Sequence, residues 1–276
     1  QKNPLRDTIF GVITTVIMLG ILSIFAVIFV IPFVQEWPYQ VSFSLEHVKS
    51  VISDPDLLGV YTNSLFVAVM TAIIGVFISY GAALVTARST LNAKLKSVVE
   101  AIALVINTIP GMVLGIAFML TFTGTNLQST FIILIICDVV HYFSTPYLMV
   151  KNSLSKMNAS WETTAMLMGD SWIKTIIRVV TPNAMSIIEV FSNYFVNAMV
   201  TISAIIFLAG AHTMVITTKI KELQYYNKFN EVFVLSVLIL ITNIIAKYIF
   251  GWLVNRRSNK NQIVKRRKTK MKRNKL

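Results

Sequence analysis

The sequence predicts an all-α integral membrane protein, a bundle of six transmembrane helices with both termini in the cytoplasm. Of its 276 residues 55% are hydrophobic and only 13% charged, against about a quarter charged in a soluble domain, and the mean hydropathy is +0.69. Six stretches reach the roughly 20 apolar residues that a helix needs to cross a bilayer. Lysine and arginine gather in alternate loops, the bias that sets orientation.

The six spans fall at 10–34, 64–87, 98–122, 130–150, 184–209 and 232–254. The first is longer than a signal-peptide core and lacks a small-residue cleavage site, so it reads as a retained span. Lys2 and Arg6 precede it, and Arg88, Lys94 and Lys96 fill the loop after span two. Lys151, Lys156, Lys174 and Arg178 lie between spans four and five, and a basic tail follows span six. These segments share one side of an even-numbered bundle, the cytoplasmic one. The opposite side carries Glu36, Glu46, Asp54 and Asp56 with Lys49 alone, then the uncharged loop 124–129, then a mixed loop with Lys219, Lys221, Glu222, Lys228 and Glu231. The loop 35–57 contains Trp37, Pro38 and Pro55 and predicts a short helix over 44–52 capped by Ser44.

Residues 1–254 therefore form the six-span domain, with a cytoplasmic loop at about 151–182, and 255–276 a basic, disordered tail. The net charge of +13 comes almost wholly from that tail: 256–276 holds eleven Lys and Arg and no acid, leaving +2 on the rest. Bases directly after a span bind anionic lipid headgroups, so the charge does not argue for nucleic acid. Cys137 is the only cysteine, which excludes an intramolecular disulfide and a zinc or redox motif. No metal site is expected.

The loop 160–182 is the one long polar segment between spans. Ser160 is a good N-cap, and Glu162 complements the positive end of a helix dipole. Trp161, Ala165, Met168 and Trp172 recur at helical spacing and form an apolar face. Gly169 supplies the left-handed break, Asp170 and Ser171 cap a second short helix through Val180, and Pro182 closes it off. An apolar surface of this kind at the membrane edge calls for a partner.

These residues resemble the EAA loop of binding-protein-dependent ABC importer permeases of type I. That family's pattern is Glu-Ala-Ala, three residues, Gly, and a Pro thirteen residues on; Gly169 and Pro182 keep the spacing. Thr163 occupies the usual Glu slot, Thr164 and Ala165 the two Ala slots, and Glu162 stands one place early. The likeness covers nearly the whole chain and is similar in style to the iron, aminoethylphosphonate, hexose-phosphate and polyamine subgroup. It implies a permease fold in the bacterial inner membrane, with Trp161, Glu162, Thr163, Thr164, Ala165, Gly169, Asp170 and Pro182 forming a coupling loop. It also implies a cytoplasmic ABC ATPase dimer that binds the ATP and magnesium, a second permease half, and an extracytoplasmic substrate-binding protein. The chain has no GxxxxGK[ST] loop, so it is expected to hold no cofactor and to be a transport subunit rather than an enzyme. The subgroup implies a small anion or ferric ion as substrate, such as a phosphonate, a phosphorylated sugar or iron.

Ionisable and polar groups inside spans face the bundle interior or a wet cavity. Span four carries Asp138 and His141, three apart and so on one face, with Asp138 roughly 20 Å from the cytoplasmic edge. Span five carries Glu189, Asn193, Asn197 and Thr201 at four-residue intervals, and span three has Asn107 and Thr108 before a kink at Pro110. Asn193, Asn197, Thr201, Asp138 and His141 are candidates for the wall of a translocation pathway; the alternative is helix-to-helix hydrogen bonding, which Asp138 and His141 would meet by pairing with each other. Lys247 is expected to snorkel to the interface. Two other classes remain open at this point: an ion- or proton-coupled secondary transporter using Asp138 and His141, and a membrane scaffold that recruits cytosolic partners.

Overall fold

The computed structural model describes residues 3–36, 39–158, 160–183 and 187–273. Trp37, Pro38, the expected start of span five at Ala184, and the side chains of the basic tail from Arg257 onward lie outside the described residues. The chain divides into two compact units, Gln1–Tyr61 with Lys219–Ile241, and Thr62–Thr218 with Thr242–Leu276.

In the first unit, α1 (Pro4–Val30) has no buried residue, as suits an apolar helix whose surroundings are lipid or another chain. A 3-10 turn, Ile31–Phe33, leads into a hairpin of β1 (Val34–Glu36) and β2 (Gln40–Phe43), with Val34 opposite Phe43 and Phe33 stacked on Phe43 at 6.0 Å. Hydropathy gave no sign of this hairpin. Helix α2 (Glu46–Ser53) follows, its first amide donating to the Ser44 hydroxyl at 3.2 Å, close to the expected cap.

Helix α3 (Pro55–Arg88) is the second span, extended at its start beyond the apolar window. The third span is two helices, α4 (Ala93–Ile106) and α5 (Gly111–Phe122), bent by 108°. The expected kink is at the expected proline but is far sharper. Residues 107–109 bond i to i−3 in a tight turn, and Pro110 has no N–H and crowds the carbonyl four residues back. The fourth span also breaks, into α6 (Phe131–His141) and α7 (Ser144–Ser155) at 54°. Pro146 is tolerated only in a first helical turn, so a new helix starts at Ser144, whose hydroxyl donates to the Ala103 carbonyl on α4. Lys151 and Glu100 add an ion pair between α7 and α4.

After the 160–182 loop, α11 (Ile187–Val200) is the fifth span. Its helix stops at Val200, not at Ala209 as expected. The freed groups are taken up by side chains: Thr201 Oγ1 donates to the Asn197 carbonyl at 2.7 Å, and Thr217 Oγ1 to the Thr201 carbonyl at 2.6 Å. Residues 203–208 form turns from which Ala204, Ile205 and Leu208 reach into the core and pack with Val67, Leu114 and Leu134, while Phe207 is exposed. Non-helical backbone at this depth is tolerated because protein surrounds it. Helix α12 (Ile216–Tyr225) and α13 (Phe229–Arg273) complete the chain, the latter carrying helical backbone into the basic segment where the composition predicts none. Among the described residues three helices are long and apolar enough to cross a membrane singly, and the two bent pairs, each taken as one span, bring the number to five. The 14-residue α11 is a sixth, shorter apolar helix.

Helices α3 and α11 cross where Gly75 lacks a side chain. A Cβ there would lie 2.6 Å from the Tyr194 ring, which is fully buried and bonded to Ser79 through its hydroxyl at 2.7 Å. Gly75→Ala is therefore expected to displace a ring with nowhere to go and cost about 1–3 kcal/mol, read as a lower unfolding temperature in detergent. Tyr194→Phe, which removes only the hydrogen bond, is expected to cost about 1 kcal/mol. Equal melting of Gly75→Ala and the parent would rule out the close crossing.

Candidate functional site

The loop between α7 and α11 begins with α8 (Ser160–Leu167). Ser160 is its first helical residue rather than its cap, and its amide donates to Asn158 Oδ1 at 3.0 Å. The helix ends in a Schellman turn at the expected glycine. Asp170 N donates to the Ala165 carbonyl and Gly169 N to the Met166 carbonyl, both at 3.0 Å, with Gly169 at φ +80°. Ser171 caps α9 (Trp172–Thr175), accepting from Lys174 N, and Lys174 pairs with Asp170. Pro182 does not close this helix off. A π-helical turn, Ile176–Val180, widens the backbone ahead of it, and α10 (Thr181–Asn183) runs through it. The wider turn accommodates the missing N–H and the ring, which an α-helical turn would not.

Ala165 is buried, while Thr163 and Thr164 are exposed and Trp161 is partly so. The apolar surface that the loop presents is its tip: Leu167 is 85% exposed and Met168 79%, with Met166, Ile173 and Ile177 also open. The predicted face of Trp161, Ala165, Met168 and Trp172 is thus divided, Ala165 turned inward and Met168 outward.

Glu162 also faces inward, toward a residue first read only as a topology charge. Arg88, the last residue of α3, lies 3.5 Å from the Glu162 carboxylate, their side chains 6% and 15% exposed. The same guanidinium donates to the Leu154 carbonyl and, at 2.6 Å, to the Met157 carbonyl at the end of α7. One arginine therefore ties the ends of α3 and α7 to the start of the loop. The available signal was an arginine at the very edge of an apolar run.

A cleft of about 490 Å³ opens between α11 and α13. It is lined by Glu189, Asn193 and Asn197 from α11 and by Lys247, Phe250 and Asn255 from α13. The polar stripe read from four-residue spacing faces this cleft along three of its members. Asn197 Nδ2 donates to the Asn193 carbonyl at 2.8 Å and to Asn193 Oδ1 at 3.1 Å. Lys247, expected to snorkel to the interface, lines the cleft from α13.

Asp138, His141 and Thr201 stand apart from it. Thr201 is buried beyond the end of α11, within 2.8 Å of the Tyr142 hydroxyl. Asp138 is fully buried, and His141 packs edge-on against Tyr142 at 4.6 Å. The two do not pair with each other as expected: neither carboxylate oxygen of Asp138 nor His141 Nδ1 has a hydrogen-bond partner among the described residues. Asn107 and Thr108 are exposed in the turn before Pro110. Among the described residues no group of three or more His, Cys, Asp or Glu is placed to hold a metal.

The chain is a bundle of apolar helices, two pairs of them bent, with a capped polar loop and a polar cleft between α11 and α13. Residues 75–259 match the family model described as binding-protein-dependent transport system inner membrane component, and the chain belongs to that family. It is accordingly a multi-pass inner-membrane protein, and membership sets aside the secondary-transporter and scaffold readings. Among its relatives, the ferric transport system permease protein FbpB of Actinobacillus pleuropneumoniae is 24% identical over 256 residues, covering 87% of this chain and 36% of that protein. A putative ferric transport system permease of Haemophilus influenzae is 28% identical over 77% of this chain and 34% of its own length. The chain thus spans about a third of the length of these two relatives. The molybdate/tungstate transport system permease protein WtpB of Pyrococcus furiosus is 26% identical, over 79% of this chain and 86% of that protein. The fold is shared with a bacterial ABC transporter that imports the acidic polysaccharide alginate: TM-score 0.74 at 12% identity, over 91% of this chain and 96% of that one. It is shared also with the MetNI methionine ABC transporter, TM-score 0.56 at 16% identity, over 74% and 99%.

Proposed function

We propose that this chain is a permease subunit of an ATP-driven importer, forming half of a translocation pathway and docking a cytoplasmic ABC ATPase through the 160–182 loop. Both termini and that loop lie in the cytoplasm on this reading, where the basic tail meets anionic headgroups. The second half is a like permease chain, and an extracytoplasmic binding protein delivers the substrate. ATP and magnesium belong to the ATPase.

The observation that carries the reading is the loop tip. Leu167 and Met168 project almost fully exposed from a helix held rigid by the Schellman turn at Gly169. A cluster of exposed apolar side chains on a polar loop marks a surface for a partner to cover. The cleft supplies the other part: Asn193 and Asn197 offer amides to a hydrated or chelated ion without a fixed charge of their own, and Glu189 and Lys247 place one charge of each sign at its wall. Such a lining suits passage rather than tight capture.

Ferric ion is the favoured substrate, because two ferric permeases are among the relatives. A small oxyanion is the competing one, after the molybdate/tungstate permease. The full chain, expressed with its neighbouring ATPase and binding protein, is expected to co-purify with the ATPase. Leu167→Asp with Met168→Asp is expected to weaken that capture by tenfold or more, since about 1.4 kcal/mol is tenfold and two buried apolar anchors are worth more. Undiminished capture in that variant would end the docking assignment. The binding protein is expected to be stabilised against heat by ferric ion; stabilisation by molybdate instead reassigns the substrate.

A further inference from the structure

The Arg88 site is built to do more than neutralise a charge. An arginine at a membrane edge ordinarily extends into the headgroups, yet this one is withdrawn until its side chain is 6% exposed. Its guanidinium is spent on three groups from two elements: the carboxylate of Glu162 in α8 at 3.5 Å, and the carbonyls of Leu154 and Met157 at the end of α7. Guanidinium geometry allows this, since its planar fork offers five donors where a lysine offers a point charge. The Leu154 carbonyl already accepts from the Met157 amide at 3.0 Å, so Arg88 adds a side-chain donor to the turn that ends α7. The contact therefore joins the end of span two, the end of span four and the first turn of the loop in one buried node.

We propose that Arg88 is the positioning residue through which movement of the 160–182 loop is passed to the membrane helices α3 and α7. The inference rests on the reading of that loop as the ATPase dock. A loop joined to its neighbours only through the backbone after α7 would absorb a partner's movement by bending there. The Arg88 node bypasses that connection. It also gives the shifted acid a task. With Thr163 in the slot where the related loops carry glutamate, Glu162 sits one residue, and so about 100°, around the helix, facing the bundle rather than the partner.

The test uses the full chain co-expressed with its ATPase and reconstituted in lipid nanodiscs, so that no substrate need be known. Asn193→Cys places a reporter in the cleft; Cys137 is fully buried and stays silent. The rate of labelling by a membrane-impermeant maleimide is compared without nucleotide and with MgATP and vanadate. With Arg88 present the two rates are expected to differ by about tenfold, within the usual range for coupled sites. Arg88→Gln is expected to shrink the difference to about twofold or less while the ATPase still co-purifies. Arg88→Lys recovers part of it, and Glu162→Gln loses less than Arg88→Gln because the α7 carbonyls keep their donor. Arg88→Gln combined with Glu162→Gln is expected to be no worse than Arg88→Gln alone, as for two residues acting through one contact. A full nucleotide response in Arg88→Gln overturns the proposal, and so do additive losses or a parallel fall in protein yield and ATPase capture. Failure of the Arg88-containing protein to capture the ATPase overturns instead the docking reading on which the proposal stands.

Discussion

Gly169→Val is expected to reduce uptake by about tenfold or more while leaving the bundle inserted and folded. The measurement is uptake of radioactive ferric ion presented on the binding protein, alongside binding-protein-stimulated ATP hydrolysis. The reason is conformational and not one of space. An added Cβ at Gly169 meets nothing within 4 Å, but φ is +80°, a region that costs an L-residue about 1–2 kcal/mol and a β-branched one more. The backbone would relieve that strain by giving up the turn, and with it the bonds from Asp170 N to Ala165 and from Gly169 N to Met166. Leu167 and Met168 would then lose their fixed aim. Gly169→Asn supplies the control, because asparagine is the other residue that ends helices in this way; it is expected to keep most of the activity. Because Gly169 is exposed and far from the apolar core, unfolding temperature should barely move in either variant. Wild-type stimulated hydrolysis in Gly169→Val would refute the role given to the turn.

What could be read from the sequence divides by the range of the interaction. The Gly169 turn was legible because it depends on one residue's backbone freedom and two neighbouring carbonyls. The six apolar stretches were legible because hydropathy is additive along the chain. The same averaging hid the breaks: a window over 130–150 scores as one span although Pro146 forces a new helix at Ser144, and over 184–209 it scores as one helix although Thr201 and Thr217 hold the backbone open after Val200. Pro110 marked the bend in the third span but not its 108°, which depends on how α4 packs on α7 and α5 on α6 and not on the proline alone.

Pairings distant in sequence were the least legible. Arg88 and Glu162 each had a sufficient local explanation, one as a topology signal and the other as a dipole partner, and neither local role predicts that they meet. Asp138 and His141 failed the other way: spacing put them on one face of α6, but a shared face does not by itself bring a carboxylate and an imidazole together, and His141, the last residue of the helix, packs edge-on against Tyr142 at 4.6 Å instead. Four-residue spacing on α11 was more reliable for Glu189, Asn193 and Asn197 because the helix there is regular. It failed at Thr201, the first residue past the helix end.

That regular stretch supports the second large effect. Asn193→Leu combined with Asn197→Leu is expected to reduce ferric-ion uptake by tenfold or more with normal yield, normal ATPase capture and a normal nucleotide response. Leucine is near asparagine in length and more at home in a bilayer, so insertion and helix formation have no reason to suffer. What is lost is the amide surface along one wall of the cleft, which a hydrated or chelated ion would have to cross next to bare hydrocarbon. Two fewer amides mean several poorly replaced water contacts, and an unsatisfied polar group in an apolar setting costs about 1–3 kcal/mol by protein measurements, so two such losses together are enough for tenfold or more in rate. Either single variant is expected to do less, since the remaining amide still faces the cleft once the 3.1 Å bond between Asn197 and Asn193 is broken. If these asparagines served only to hold helices together, the double variant would melt earlier and lose ATPase in proportion to its transport. Loss of uptake with assembly intact separates a lining role from a structural one, and unchanged uptake removes the cleft from the pathway.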